Sequence, residues 1–173
     1  MNCETFWMAV TALASWVLVG ITFYLIRNQI QISKNDLKVR LQLNFEEKFE
    51  GESFMRKRKN LSSQLLMNTD FKNVHEDIIN FFESIGMLLR KKYFDKEMAW
   101  IGFGYYAIRY WEAYEKYILA ERKRFCDETL YTEFEYLKTQ MYAVEMHERN
   151  INQEEVKVKP NEINDFLSEE CNL

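Results

Sequence analysis

From Phe6 to Ile26 the chain reads FWMAVTALASWVLVGITFYLI, 21 residues without a charge. As a helix rising 1.5 Å per residue this run would span about 31 Å, the thickness of a bilayer's hydrocarbon core. Ten of its residues are Leu, Ile, Val or Phe, each worth roughly 0.3–0.6 kcal/mol of insertion free energy. Trp7 and Tyr24 lie near its two ends, where indole and phenol rings suit the headgroup region. The rival reading is a cleaved signal peptide, which needs a basic leader, a shorter apolar core and a small-residue cleavage site after it. Here MNCE precedes the run without Lys or Arg, and the Ala12–Ala14 pair comes too early. A retained membrane span over residues 6–26 is the expectation, after an extracytoplasmic N-terminus over 1–5.

Outside that run the composition changes. Its only charge-bearing neighbour on the N-terminal side is Glu4, and all 23 Lys and Arg with 26 of the 27 acids follow it. Arg27, Lys34, Lys38 and Arg40 come directly after the run, and positive flanks stay on the cytoplasmic side. The expected arrangement is therefore a single-pass protein of the inner cell membrane, N-terminus outside and the rest cytoplasmic. Cys3 would lie outside, while Cys126 and Cys171 would meet a reducing compartment and stay free. With 16% aromatic residues but five Gly and one Pro, nothing supplies the turns of a hairpin-rich or repeat-β architecture. The fold class expected is all-α: the span, then a helical domain over 27–149 forming a bundle of about four or five helices.

Periodicity places those helices. Ile30, Leu37, Leu41, Phe45 and Phe49 share one face of a helix continuing from the span, without a strict heptad, so packing on the rest of the domain is expected in place of a coiled coil. Gly51 breaks it, and Phe54, Leu61, Leu65 and Leu66 mark the next. Asn68 to Lys72 reads as a polar connection. Asn73 and Glu76 then stand at capping-box spacing ahead of a stripe of Val74, Ile78, Phe81, Phe82, Ile85, Leu88 and Leu89. Gly86 inside that stripe costs about 1 kcal/mol relative to Ala, which points to a close helix neighbour. Asp95 caps a helix striped by Phe103, Ala107, Tyr110, Tyr114 and Tyr117 and widened by Trp100, Trp111 and Ile118. Asp127 is placed to cap the last strong helix, with Leu130, Phe134, Leu137, Met141 and Val144. Residues 150–173 hold six acids against two Lys and Pro160. They read as a mobile acidic tail, with a short docking helix through Ile163, Phe166 and Leu167 as the alternative.

The segment FFESIGMLLR from Phe81 to Arg90, followed by Tyr110 and Trp111, Arg122, and LYTEFEYL from Leu130 to Leu137, resembles a family of uncharacterised, mostly bacterial proteins. Its members have one N-terminal span and a helical domain of unknown function. The resemblance covers roughly residues 54–137 and the position of the anchor. It implies architecture and compartment, and brings no reaction, ligand or catalytic residue. The family-like positions are Glu83, Gly86, Arg90, Trp111 and Arg122, expected to be structural. An unpaired buried acid would be costly, so Glu83 should meet Arg90, Arg109 or Arg122.

Catalytic and metal chemistry find few candidates. Three Cys without CxxC spacing and two His are too few for a structural zinc site, and neither His75 nor His147 has the preceding Glu of a di-iron ExxH pair. Neither follows an Arg at helical-ribonuclease spacing, and no GxxxxGK, GxSxG or HExxH occurs. Gly102, Gly104 and Ala107 match GxGxxA, but no strand precedes them, so a kink or close helix contact is the better account. No cofactor, metal or catalytic residue is expected. The basic run Arg56, Lys57, Arg58, Lys59 wraps around a helix, and reads as a solvated face, as lipid contact, or as a nucleic-acid site. The last is disfavoured because the part after the span is net negative.

These readings favour a membrane-anchored, non-enzymatic interaction or regulatory module whose partners are the bilayer and a protein, either another chain or a second copy. The stripe Thr11, Ser15, Val19 and Thr22 offers a surface for a second span. One alternative is an enzyme with a site built from Glu83, Arg90, Tyr110, Glu112 and Arg122, which requires an open pocket where these groups converge. Another is a phage-defence or superinfection-exclusion factor.

Overall fold

A computed structural model describes residues 3–67, 76–150 and 157–173. The cap expected at Asn73, the connection at Asn68 to Lys72, Val74 and His75 fall outside the described residues, as does the side chain of Thr11. Every regular element among the described residues is helical: α1 Cys3–Glu50, α2 Glu52–Leu66, α3 Glu76–Arg90, α4 Lys96–Ala99, a π-helical turn Trp100–Gly104, α5 Tyr105–Phe125, α6 Thr132–Arg149 and α7 Pro160–Glu170. The chain divides into two units, Met1–Arg40 and Leu41–Leu173.

In the first unit the apolar side chains among the described residues face outward. Trp16 is 75% exposed, and Leu13, Val17, Leu18, Val19, Phe23, Leu25 and Ile26 are all exposed. Burying such surface is the main drive to fold in water, so a helix with an outward apolar surface over this length is not an ordinary core element. Among the described residues this helix is long and apolar enough to cross a membrane. Thr22 satisfies its own hydroxyl within the helix by donating it to the Leu18 carbonyl (2.8 Å). Ile30 and Leu37, expected to pack, are exposed as well.

The second unit has one aromatic core. Phe49, Phe54, Phe81, Phe82, Phe103, Tyr110, Trp111, Phe134 and Phe166 are all buried. Their rings meet in the offset and edge-on arrangements that the aromatic quadrupole favours. Phe82 stacks on Phe134 with centroids 5.1 Å apart, and Trp111 meets Phe134 edge-on at 5.2 Å. Gly51 separates α1 from α2 in an extended conformation, and the amides of Phe54 and Met55 return to its carbonyl at 2.8 and 2.9 Å. Asp95 caps α4 by accepting from the Glu97 amide (3.3 Å).

Glycines in this unit serve proximity. At Gly86 a Cβ would overlap the carbonyl group of Glu133, so α3 and the start of α6 touch backbone to backbone, as the cost of a mid-helix glycine suggested. A Cβ at Gly104 would lie 2.7 Å from Cδ1 of Trp100, inside the π-helical turn that accounts for the GxGxxA match. Among the described residues the left-handed positions instead carry side chains: Lys92, Cys126, Tyr131 and Asn150, with φ between 51° and 61°.

Two further expectations are corrected. Asp127 does not cap α6; its carboxylate accepts from the amide and hydroxyl of Thr129 (2.8 and 2.6 Å) and shapes the preceding turn, holding its pKa below the ordinary carboxylate value. Residues 160–170 are not a mobile acidic tail, because they form α7, whose Phe166, Leu167 and Glu170 are buried. An 11-residue helix is marginal alone in water. Burial of Phe166 and Leu167, at about 1.5–3 kcal/mol each, is what holds it.

Candidate functional site

Polar groups inside the second unit gather in three places. The first is a buried socket. Arg58 sits at the middle of α2, on the stripe made by Phe54, Leu61 and Leu65, and is 3% exposed. Its Nε and Nη2 donate to Oε2 and Oε1 of Glu170 on α7, at 2.8 and 2.5 Å, the paired geometry that a planar guanidinium gives a carboxylate. Nη1 donates to the carbonyl of Phe49 (3.3 Å). The Tyr110 hydroxyl donates to Oε2 of Glu170 at 2.5 Å. The guanidinium carbon lies over the rings of Phe49 and Tyr106, 4.0 and 5.0 Å from their centres. Burial alone would lower the Arg58 pKa, yet Glu170 and Tyr110 outweigh it and the net shift is upward. Burial and the adjacent Glu170 carboxylate push the Tyr110 phenol far above its ordinary value. Both groups therefore stay protonated donors throughout the physiological range.

The second place is the N-terminus of α6. Its first residue follows Tyr131 in the left-handed conformation, without a local side-chain cap. Glu83, reaching from α3, supplies the acceptor: its Oε2 takes the Phe134 amide at 2.6 Å. A carboxylate here satisfies free amides and meets the positive end of the helix dipole. The expected ion pair of Glu83 is therefore corrected. Arg90 pairs with Glu133 (2.6 Å) and lies over the Tyr136 ring (4.0 Å). Arg122 binds the Leu130 carbonyl (2.8 Å) and Glu135 (2.9 Å). Burial raises the Glu83 pKa against the downward pull of the amides and of Arg122. Four of the five family-like positions, Glu83, Gly86, Arg90 and Arg122, meet at this junction, and Trp111 lies beneath Phe134.

The third is a half-open groove of about 480 Å³ between α5 and α6, lined by Glu112, Glu115, Lys138, Thr139, Tyr142 and Met146 among others. The Tyr142 hydroxyl donates to Glu112 (3.0 Å), and burial with that carboxylate raises its pKa. Lys138 lies 5.0 Å from the Trp111 ring centre.

The constellation Glu83, Arg90, Tyr110, Glu112 and Arg122 is therefore split. Glu83, Arg90 and Arg122 belong to the helix junction, Tyr110 to the socket and Glu112 to the groove. Arg58 is corrected as well: it leaves the solvated basic run and becomes the centre of the socket. Its neighbours keep partners of their own, Arg56 with Glu52 (3.2 Å), Lys57 with Asp77 (3.0 Å) and Lys59 with the Leu173 carbonyl (3.0 Å). Sequence reasoning missed Glu170, although the signal was present: Ile163, Phe166, Leu167 and Glu170 fall at i, i+3, i+4 and i+7, an acid on an apolar stripe. No group of three or more His, Cys, Asp or Glu suited to a metal occurs among the described residues. His147 is exposed beside Glu148.

Residues 9–141 match the family model described as "Domain of unknown function (DUF4760)". No curated protein and no solved structure matches the chain. The matched region covers most of the chain, which therefore belongs to that family; it holds Arg58, Tyr110 and the helix junction, and ends before α7.

Proposed function

We propose that this member of the family is a membrane-tethered, non-enzymatic interaction or regulatory module. In this reading residues 6–26 of α1 span the inner membrane with the N-terminus outside, and the unit from Leu41 onward works at the cytoplasmic face. The single observation that carries it is the outward apolar surface of α1 between Leu13 and Ile26, which water disfavours and lipid accepts. The cationic flank of Arg27, Lys34, Lys38 and Arg40 supports the orientation. Contact is favoured over reaction because the residues of the enzymatic alternative lie in three separate places and do not converge on one pocket. Contact with anionic lipid is assigned to Arg56, Lys57 and Lys59, at roughly 1 kcal/mol per cation near the surface.

The test is fractionation of cells expressing the full chain, with protease access to a C-terminal tag, followed by cross-linking and mass spectrometry of co-purifying proteins. The full chain is expected to resist alkaline extraction from membranes and to shield its tag in intact cells. A variant lacking residues 1–26 is expected to be extractable and to lose a stoichiometric membrane partner. Full extraction of the intact chain would refute the tether. Recovery of the intact chain alone, across growth and stress states, would refute the module.

A further inference from the structure

The socket has the chemistry of a carboxylate receptor. Three donors converge on one carboxylate: two guanidinium nitrogens of Arg58 at 2.8 and 2.5 Å and the Tyr110 hydroxyl at 2.5 Å. The guanidinium lies over the adjoining Phe49 and Tyr106 rings and is tied to a main-chain carbonyl, contacts that orient it besides those to Glu170. Beside it an apolar seat receives Phe166, whose ring meets Tyr110 at 5.0 Å and Tyr105 at 5.9 Å. Every wall of this receptor comes from α1, α2 or α5, within the region that defines the family. The carboxylate and the phenyl ring that fill it come from α7, outside that region. The filling is also complementary in charge: residues 160–170 carry four acids and no base, and the cations of α2 that meet this segment are Arg58, on Glu170, and Lys59, on the Leu173 carbonyl.

We infer that the Arg58–Tyr110 socket is a recognition site for an acidic amphipathic helix, that α7 occupies it in cis, and that a helix of another protein with an aromatic residue, Leu and Glu at the 166, 167 and 170 spacing displaces α7. This rests on the reading of the chain as an interaction module and names the module's recognition site. α7 suits the role of a removable occupant because it is short and is held through Phe166, Leu167 and Glu170, so releasing it melts one helix and leaves the shared core of α3, α5 and α6 in place. The fraction of chains with an open socket then scales the apparent affinity for the partner helix.

The experiment uses the full chain in detergent micelles, with Cys3→Ser and Cys126→Ser, and a fluorescein-labelled peptide of residues 158–173 carrying Cys171→Ser. Peptide binding to the chain with its own α7 unaltered is expected to be weak. Phe166→Ala in the chain's own α7 is expected to tighten it by about tenfold or more, because the open fraction rises. Adding Arg58→Met, or the milder Tyr110→Phe, is expected to weaken it again. Ser63 Oγ lies 3.3 Å from Cys171 Sγ, so Ser63→Cys allows a disulfide that holds α7 down: the oxidised chain should refuse the peptide and the reduced chain accept it. Amide exchange across α7 should run ahead of exchange in α3 and α5. The proposal is overturned if the Phe166→Ala chain keeps slow exchange in α3 and α5 yet binds peptide no better, or if the disulfide-held chain binds as well as the reduced one. A Ser63→Cys disulfide joining two chains would replace the foreign helix with exchange of α7 between copies, and so overturn it too. Partner capture from membranes does not depend on these variants, so failure here leaves the tethered-module reading to its own test.

Discussion

Tyr110 and Tyr114 stand four residues apart on α5, both fully buried, and their hydroxyls have opposite fates. That of Tyr110 is bound to Glu170, while that of Tyr114 has no hydrogen-bond partner among the described residues. Deleting a hydroxyl bound to a charged group costs about 1.5–3 kcal/mol, and deleting a buried unsatisfied one removes a desolvation penalty of about 1–3 kcal/mol. Tyr110→Phe should therefore lower the denaturation midpoint of the full chain in micelles, and Tyr114→Phe should leave it unchanged or raise it; equal losses would contradict the geometry. Glu83 gives a pH test. Its folded pKa lies above the ordinary value near 4.5 because it is half-buried at the α3–α6 junction, so the folded state holds the proton more tightly than the unfolded chain. The stability it contributes is complete below the unfolded pKa and is lost as pH rises through the folded one. Glu83→Gln keeps an acceptor for the Phe134 amide and removes the ionisation, so unfolding curves from pH 4 to 7 should show the variant gaining on the wild type as pH rises. Parallel curves would mean that the carboxylate titrates alike in both states. Neither role was readable from neighbouring residues. Glu83 caps a helix 51 positions away, and Arg58 was concealed by three adjacent cations, although its spacing from Phe54, Leu61 and Leu65 places it on the buried stripe.

Elements were legible where one face repeats. The stripes of α3 and α5, and Phe134, Leu137 and Met141 of α6, are buried as their periodicity requires, while Leu130 and Val144 are only partly covered; Gly51 and Asp95 mark boundaries because their signals act within a few residues. What escaped is long-range: the cap of α6 from α3, and the docking of α7, whose acidity suggested solvent while its apolar stripe suggested contact. The glycines separate these two kinds of information. Gly86→Ala must push α3 away from the Glu133 carbonyl, and is expected to cost about 1–3 kcal/mol, as overpacking does. At Gly102 a Cβ would meet the flexible Glu46 carboxylate at 3.1 Å, which can turn aside, so Gly102→Ala should be neutral or gain up to about 1 kcal/mol from helix propensity. Thermal melts of the two variants check the pair, and a stabilising Gly86→Ala would show that the helices do not need that contact.

On the scale of the whole molecule, two kinds of surface coexist in one chain: an outward apolar helix in the unit Met1–Arg40, and an aromatic core closed by ion pairs in the unit Leu41–Leu173. The first was plain in the sequence because length and absence of charge suffice to define it. The second was plain only as a class, since which acid meets which base depends on how the helices are stacked. One contact gives this molecule a clock. Arg58 and Glu170 are 112 positions apart, and at about 5–20 residues per second of synthesis the basic half of the pair leaves the ribosome roughly 6–22 s before the acidic half. Tyr110 completes the socket 60 positions before Glu170, so for roughly the last 3–12 s of that interval the partner helix inferred above would meet a socket with no α7 to displace.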